Sequence, residues 1–218
     1  MQPKTKILVV DDHPLVREWL TKLINEEPDF EVCGQTGTAR EALDLIETLL
    51  PQIVVVDISL DGGSGLELIK DTKAIHPKMD MIVLSMHDEM LYAERAMRAG
   101  AAGYIMKREA TERVLDAIRT VIRGDLYFSN AVNAMLAQKL VQGVGNQPTD
   151  ISSLSDRELE VFQLLGRGYT TRQISEQMNV GFKTVHAYCA RIREKLNLAN
   201  INELAFHAIR WHESQQPR

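Results

Sequence analysis

Ile7-Leu8-Val9-Val10-Asp11-Asp12-His13-Pro14 sets an apolar run directly against two carboxylates and a proline. An unbroken run of this kind reads as a parallel strand buried on both faces, where a half-exposed strand would alternate. Pro14 suits the first turn of a helix, and Leu15, Trp19, Leu20, Leu23 and Ile24 follow at helical spacing. The unit is strand, acidic turn, helix, and it recurs along the next hundred residues. Phe30, Val32 and Cys33 mark a second strand, and Thr38 with Glu41 reads as a capping box before Ala42, Leu45, Ile46 and Leu49. Ile53 to Val56 is a third strand, followed by a helix on Leu66, Ile69, Ala74 and Ile75. Met81 to Leu84 is a fourth, followed by a helix from Leu91 to Ala99 that stops at Gly100. Tyr104 to Met106 is a fifth, followed by Val114 to Ile122 and Gly124. Alternation of this kind predicts a doubly wound α/β domain with a five-stranded parallel sheet over residues 1–124.

The rest of the chain has a different character. Residues 131–141 read as a helix, and Gly143-Val144-Gly145-Asn146-Gln147-Pro148-Thr149-Asp150 as a flexible linker, so 125–150 is expected to join two domains. From Leu154 to Trp211 there is no strand signal. Four short helices are expected, near 156–166, 171–178, 182–196 and 201–212, making 151–218 an all-α domain. Ser155-Asp156-Arg157-Glu158 is a capping box that opens the first of them.

Composition agrees with this division. Of 218 residues 44% are hydrophobic and 25% charged, which excludes a disordered or collagenous chain, and no apolar run reaches membrane-spanning length. The opening Met1 to Val10 is too short and too acidic in its sequel for a signal peptide. Two cysteines, Cys33 and Cys189, have no metal-ligand spacing around them and read as reduced thiols, so the expected compartment is the cytoplasm. The net charge of −5 is unevenly spread: residues 1–123 hold 15 Lys and Arg against 21 Asp and Glu, residues 151–218 hold 9 against 7. An acidic front and a mildly basic back suggest modules with different partners.

Open α/β sheets bind ligands at the carboxyl ends of their strands. There the first strand offers Asp11 and Asp12, the third Asp57, the fourth Ser85 and the fifth Lys107. Three carboxylates in one crevice repel unless a cation sits among them, and hard oxygen ligands with no nearby His or Cys suit Mg²⁺. An ionised Asp57 could then attack a phosphoryl donor and form an acyl phosphate, with Lys107 and the metal offsetting the charge and the Ser85 hydroxyl bonding a phosphoryl oxygen. Taken singly, Asp12 equally fits a cap for the helix at Pro14, and Tyr104 fits a core aromatic.

In the second domain, helices near 171–178 and 182–196 joined by Asn179-Val180-Gly181 have helix-turn-helix spacing, whose second helix usually enters the major groove. At 100° per residue, Val185, Cys189, Ile192 and Leu196 form an inward stripe. Lys183, Ala187, Ala190 and Glu194 lie opposite, flanked by His186, Arg191 and Arg193. Residues 179–196 carry four cations, Lys183, Arg191, Arg193 and Lys195, against Glu194, where a phosphate-contacting footprint is expected.

With these residues in place, 6–124 resembles a response-regulator receiver domain, through Val9 to Arg17, Asp57, Ser85 and Lys107. The whole chain resembles the NarL/FixJ family of two-component transcription factors. The LuxR-type part of the match runs through Leu154 to Val161, Gly168 to Ile174, Lys183 to His186 and Arg193 to Leu196. The resemblance implies a flavodoxin-like receiver with Asp57 as phosphoacceptor. It implies Asp11, Asp12, Asp57 and the Ser59 main-chain carbonyl as Mg²⁺ ligands, and Ser85 and Tyr104 as a pair that moves on activation. It implies DNA contacts at Thr171, Lys183, Thr184, His186, Ala187, Ala190, Arg191 and Arg193. It also implies a sensor histidine kinase as phosphodonor, duplex DNA as target, RNA polymerase as a candidate partner, and a homodimer when phosphorylated or DNA-bound. Beyond transferring a phosphoryl group onto and off itself, no enzymatic activity is expected. Departures from the family pattern are Leu60-Asp61 in place of a common Met-Pro, which should loosen the loop after Asp57. Arg108 stands where many receivers have a cis proline, so a trans bond is expected, and His186 and Ala190 stand where lysines are frequent. Ala205, Ile209 and Trp211 of the last helix fit a dimer surface or the small core equally well. Two other classes compete: a phospho-signalling adaptor or phosphate sink without DNA output, and a Mg²⁺-dependent phosphohydrolase using Asp57, for which the sequence shows no substrate pocket.

Overall fold

In the computed structural model, residues 3–61, 63–142 and 151–215 are described, and they divide into two units, 1–141 and 142–218. The expected linker at 143–150 lies outside the described residues. Among the described residues no helix is long and apolar enough to cross a membrane.

The first unit is built on strands β1 (Thr5–Val10), β2 (Phe30–Thr36), β3 (Ile53–Val56), β6 (Asp80–Ser85) and β7 (Gly103–Met106), paired in parallel in the order β2-β1-β3-β6-β7. Between β3 and β6 lies a two-strand antiparallel ladder, β4 (Ser59–Leu60) and β5 (Gly63–Ser64). Five helices connect the sheet strands or follow the last: α1 (Pro14–Asn25), α2 (Ala39–Leu49), α3 (Gly65–Ile75), α4 (Glu89–Ala99) and α5 (Ala110–Ile122). The continuous apolar strands are buried on both faces, as their composition demands. Ile7, Val9, Val55, Ile82 and Ile105 meet Leu20 and Ile24 of α1 and Val114 and Ile118 of α5 on one face. Leu8 turns the other way, towards Leu45 and Leu49 of α2. Burying a side chain of this size contributes about 1.5–3 kcal/mol, so these layers fix the strand ends that carry the polar groups.

Four local expectations change. Leu15, expected on the inward stripe of α1, is 79% exposed, because the inward face runs through Val16, Trp19, Leu20, Leu23 and Ile24. The capping box before α2 is half made: Thr38 Oγ1 accepts from the Glu41 N–H, but the Glu41 carboxylate accepts from the Thr36 hydroxyl instead of reaching back. The segment after Asp57 is not a loose loop, since the β4–β5 ladder ties it down. Gly65 is pressed against it so closely that a Cβ would lie 1.9 Å from the Asp57 carbonyl oxygen. The helix α6 (Asn130–Gln142), expected as part of a connector, continues the first unit as far as Val141. Ahead of it Tyr127 forms a parallel bridge with Gly103 at the edge of β7, and Ser129 Oγ, which donates to Glu89 and accepts from the Val132 N–H, ties its start to α4. As expected, the Lys107–Arg108 bond is trans.

The second unit holds α7 (Asp156–Gly166), α8 (Thr171–Gln177), α9 (Phe182–Leu196) and α10 (Ile201–Gln215). Both α7 and α8 start in full capping boxes, Ser155 with Glu158 and Thr170 with Gln173. Val185, Cys189, Ile192 and Leu196 are buried, as the helical stripe predicts, against a core including Phe162, Ile174, Leu204 and Ala208. The Trp211 ring packs tilted against that of Phe162, centres 5.6 Å apart, while Ile209 is 38% exposed and Ala205 half-buried, so the faces of α10 divide between core and surface.

Candidate functional site

Parallel register places the acidic residues of the first unit side by side. Val10 pairs with Val56, so the residues that follow, Asp11 and Asp57, leave neighbouring strands at the same level, and the Asp57 N–H donates to the Val10 carbonyl at 2.8 Å. Ser85 ends β6 and pairs with Met106, which puts Lys107 at the rim of the same crevice. Lys107 Nζ lies 2.6 Å from Asp57 Oδ2 and 2.7 Å from Asp11 Oδ2, and all three side chains are less than a tenth exposed. Asp12, half-buried, completes the cluster.

Sequence reading did not anticipate the groups that hold these side chains. Arg17, one turn into α1, donates from Nη1 to the Asp11 carbonyl at 2.6 Å and fixes the β1–α1 turn. The His13 N–H donates to Asp11 Oδ1 at 2.9 Å, and its ring Nδ1 lies 2.5 Å from Asp12 Oδ1. His87, two residues past Ser85, shares a hydrogen bond with the Ser59 hydroxyl through Nε2 at 3.0 Å and stacks on Tyr92. Its carbonyl accepts from the Tyr104 hydroxyl at 2.8 Å, and its N–H donates to Ser85 Oγ at 3.3 Å. Tyr104 is thus turned inward, only 2% exposed, and wired to the loop that carries Ser85. No spacing rule signals His87, because its partners come from three separate segments.

The electrostatics follow from burial. Burial pushes the Asp57 carboxyl up to about 6, against the opposing pull of Lys107 and with a further push from Asp11. Burial alone would lower Lys107, but Asp57 and Asp11 outweigh it and hold the ammonium above its ordinary value. Burial also raises the Tyr104 phenol well above its usual range. Three carboxylates face one ammonium, and among the described residues the buried Asp57 Oδ1 has no hydrogen-bond partner. Carboxylate oxygens of Asp11, Asp12 and Asp57 lie within 4.8 Å of one another, with His13 in the same group. This hard, mainly oxygen donor set fits Mg²⁺, which takes one or two carboxylates and keeps several waters.

In the second unit, Lys183, Thr184, His186, Ala187 and Arg191 are exposed on α9, and Ala190, Arg193 and Thr171 are half-buried. Phe182 packs edge-on to His186, their ring centres 4.4 Å apart. The basic footprint is smaller than the charge count suggests. Lys195 is turned into the unit, 2.6 Å from the buried Glu158 carboxylate and 3.2 Å from the Ser153 carbonyl. Arg191 leans towards the same carboxylate at 3.7 Å, and Arg193 donates to the Ala199 carbonyl at 3.3 Å. Lys195 and the Ser155 N–H outweigh burial and hold the Glu158 carboxyl below its ordinary value. Glu158 therefore serves twice, as capping-box partner of α7 and as anchor of α9. The capping motif revealed only the first role.

Comparison with known proteins covers both units. Residues 7–119 match the family described as response regulator receiver domain, and residues 152–208 the bacterial regulatory proteins of the luxR family. The oxygen regulatory protein NreC of Staphylococcus carnosus is 32% identical over 210 residues, spanning 94% of this chain and 97% of that protein. The response regulator GacA of Pseudomonas aeruginosa is 34% identical over 205 residues, spanning 94% and 95%. Among solved structures, RcsB of Salmonella typhimurium shares the fold with a TM-score of 0.68 at 21% identity, over 96% of this chain and 98% of that one. A LuxR-family response regulator from Aurantimonas matches with a TM-score of 0.59 at 30% identity, over 63% and 99%.

Proposed function

Because the chain belongs to the response regulators that join a receiver domain to a LuxR-type output domain, we propose that Asp57 accepts a phosphoryl group and thereby controls DNA binding by residues 151–218. The observation that carries this reading is the buried Asp57, held at 2.6 Å by Lys107, with its other oxygen unpartnered at the strand ends. A carboxylate oxygen of Asp57 attacks phosphorus; the new O–P bond forms as the bond to the donor's leaving group breaks. The donor is a phosphohistidine of a sensor kinase or a small acyl phosphate. Lys107 and the Ser85 hydroxyl meet the phosphoryl oxygens, and Tyr104 follows Ser85 through the His87 carbonyl. Asp11, Asp12, Asp57 and the Ser59 carbonyl would hold Mg²⁺, which supplies positive charge to the transferring group. The only chemistry in this reading is transfer onto the chain itself and hydrolysis of that bond.

On the output side, Lys183, Thr184, His186 and Ala187 face outward from the first turns of α9, with Ala190, Arg191, Arg193 and Thr171 around them. We assign these to duplex DNA. Among the described residues, Arg191 and Lys195 are drawn to Glu158 and Arg193 to the Ala199 carbonyl, which leaves Lys183 as the cation of this stretch that no such contact holds, so a single copy makes few phosphate contacts, which favours a dimer on DNA. Residues 1–124 form the receiver, 125–150 the connector and 151–218 the output domain. The protein acts in the cytoplasm, with RNA polymerase as the downstream partner.

Incubation with acetyl phosphate and Mg²⁺ should add one phosphate by intact mass, and Asp57→Asn should abolish it. An adduct that survives in the Asn variant, or labelling at an unchanged rate in excess EDTA, would overturn the assignment.

A further inference from the structure

Along one ridge of α9 hydrogen-bonding groups are scarce. Phe182, His186 and Ala190 follow one another a turn apart, and Ala187 stands beside them. Of these four only His186 carries a polar side-chain atom. Phe182 is the first residue of the helix and is 49% exposed. Its ring meets the His186 imidazole edge to face, with centres 4.4 Å apart and planes at 70°, so the two rings form one aromatic wall. The approach to that wall is bare. Gly181, the N-cap, holds φ −64°, which any residue adopts, and outside its chain neighbours a Cβ there would meet Thr184 Oγ1 at 3.7 Å, an ordinary contact. A Ser or Asp cap would therefore fit and would stabilise the helix, yet the position carries no side chain to stand in front of Phe182.

Aromatic surface left in water is unfavourable, and the loss is recovered when another apolar group covers it. In the major groove each base pair presents donors and acceptors, and the apolar group among them is the C5-methyl of thymine. Phenylalanine can contact that methyl but has no atom with which to bond a base edge. We propose that Phe182, with the His186 ring packed on it, is a specificity-determining residue that reads the methyl of a thymine at one position of each half-site. The proposal rests on the duplex-DNA reading of α9 given above and adds the base that the helix selects. Lys183, next along the chain, serves the phosphates, which carry no sequence information, so affinity and base choice are divided between adjacent residues.

Uracil in place of thymine removes the methyl and leaves base pairing intact. The full chain, treated with acetyl phosphate and Mg²⁺, is used to select from a random duplex library, and the enriched duplex is remade with uracil replacing each thymine in turn. Binding is read by fluorescence anisotropy. At one thymine per half-site the change should weaken the parent about four-fold, the factor for one buried methyl. Phe182→Ala should bind the thymine and uracil duplexes equally. A second measurement needs no variant: 5-iodouracil at that position sets iodine where the methyl was, and irradiation should crosslink it to Phe182. The inference is overturned if no thymine shows the effect, if Phe182→Ala keeps the parent's preference, or if the crosslink falls on another residue. Binding to every duplex alike, with no sequence enriched, would also overturn it and leave the DNA reading standing. Binding to no duplex at all would overturn both.

Discussion

Replacing Asp57 by Asn should stabilise the metal-free protein. Asp57 is 4% exposed, and burial lifts its carboxyl from 3.8 to about 6 despite Lys107. A folded value above the unfolded one means that the native state holds the proton more tightly. The group's contribution is therefore fully present below about pH 4 and lost as the pH rises through about 6. At about 1.4 kcal/mol per pH unit, ionising Asp57 in the metal-free protein costs about 3 kcal/mol at pH 7. Asn keeps the shape without the charge, and Lys107 retains Asp11 as a partner. The variant should therefore gain up to about 3 kcal/mol at pH 7. With a urea slope of about 1–3 kcal/mol per molar, that is a midpoint rise of about 1–3 M.

The assay is urea unfolding in EDTA, followed by Trp19 fluorescence in a Trp211→Phe background. Trp19 packs on the receiver core and Trp211 on Phe162 of the other unit, so the substitution isolates the receiver signal. The advantage of Asn should shrink to about 1 kcal/mol near pH 4.5 and towards zero near pH 3, and added Mg²⁺ should narrow it at pH 7 by stabilising the Asp form alone. A variant no more stable than its parent at pH 7 in EDTA, or one whose advantage is as large at pH 3 as at pH 7, would refute the reasoning.

Three other outcomes follow from single contacts. Glu158→Gln should destabilise the second unit by about 2 kcal/mol, because Lys195 loses a buried partner; Trp211 fluorescence during urea unfolding checks this. Lys183→Ala should lower the salt slope of DNA binding by about one while Lys195→Ala leaves it unchanged, measured by fluorescence anisotropy across salt concentrations. Gly65→Ala should cost about 3 kcal/mol and slow phosphorylation by acetyl phosphate, since the new methyl would collide with the Asp57 carbonyl; unfolding midpoints and labelling rates read both.

Legibility in the sequence followed the range of the interactions. The parallel strands were legible because burial on both faces leaves only apolar residues, and once they were placed, Asp11, Asp57, Ser85 and Lys107 fell at their ends. The inward stripe of α9 was legible for the same reason, a period of 3.6 imposed by one packed face. Interactions set by tertiary approach were not legible. The β4–β5 ladder has strands of two residues, too short for any alternation to register. Lys195 counts as a surface cation in any tally of charge, and only the approach of α7 to α9 reveals that Glu158 takes it. His87 and Arg17 act on residues distant in sequence or on backbone carbonyls, which leave no trace in a motif.

The bridge at Tyr127 has a consequence for how the sheet avoids self-association. Strand β7 is the last of the five, and an edge strand offers unpaired N–H and carbonyl groups on which another chain can template. Here the Tyr104 N–H and the Ala102 carbonyl at that edge are both taken by Tyr127. The residues that lead out of the receiver also serve as a gatekeeper against strand addition, and α6 anchors them there. A receiver cut at residue 124 would keep every group of the acidic crevice yet lose this cover, and its bared edge would favour aggregation over the monomer.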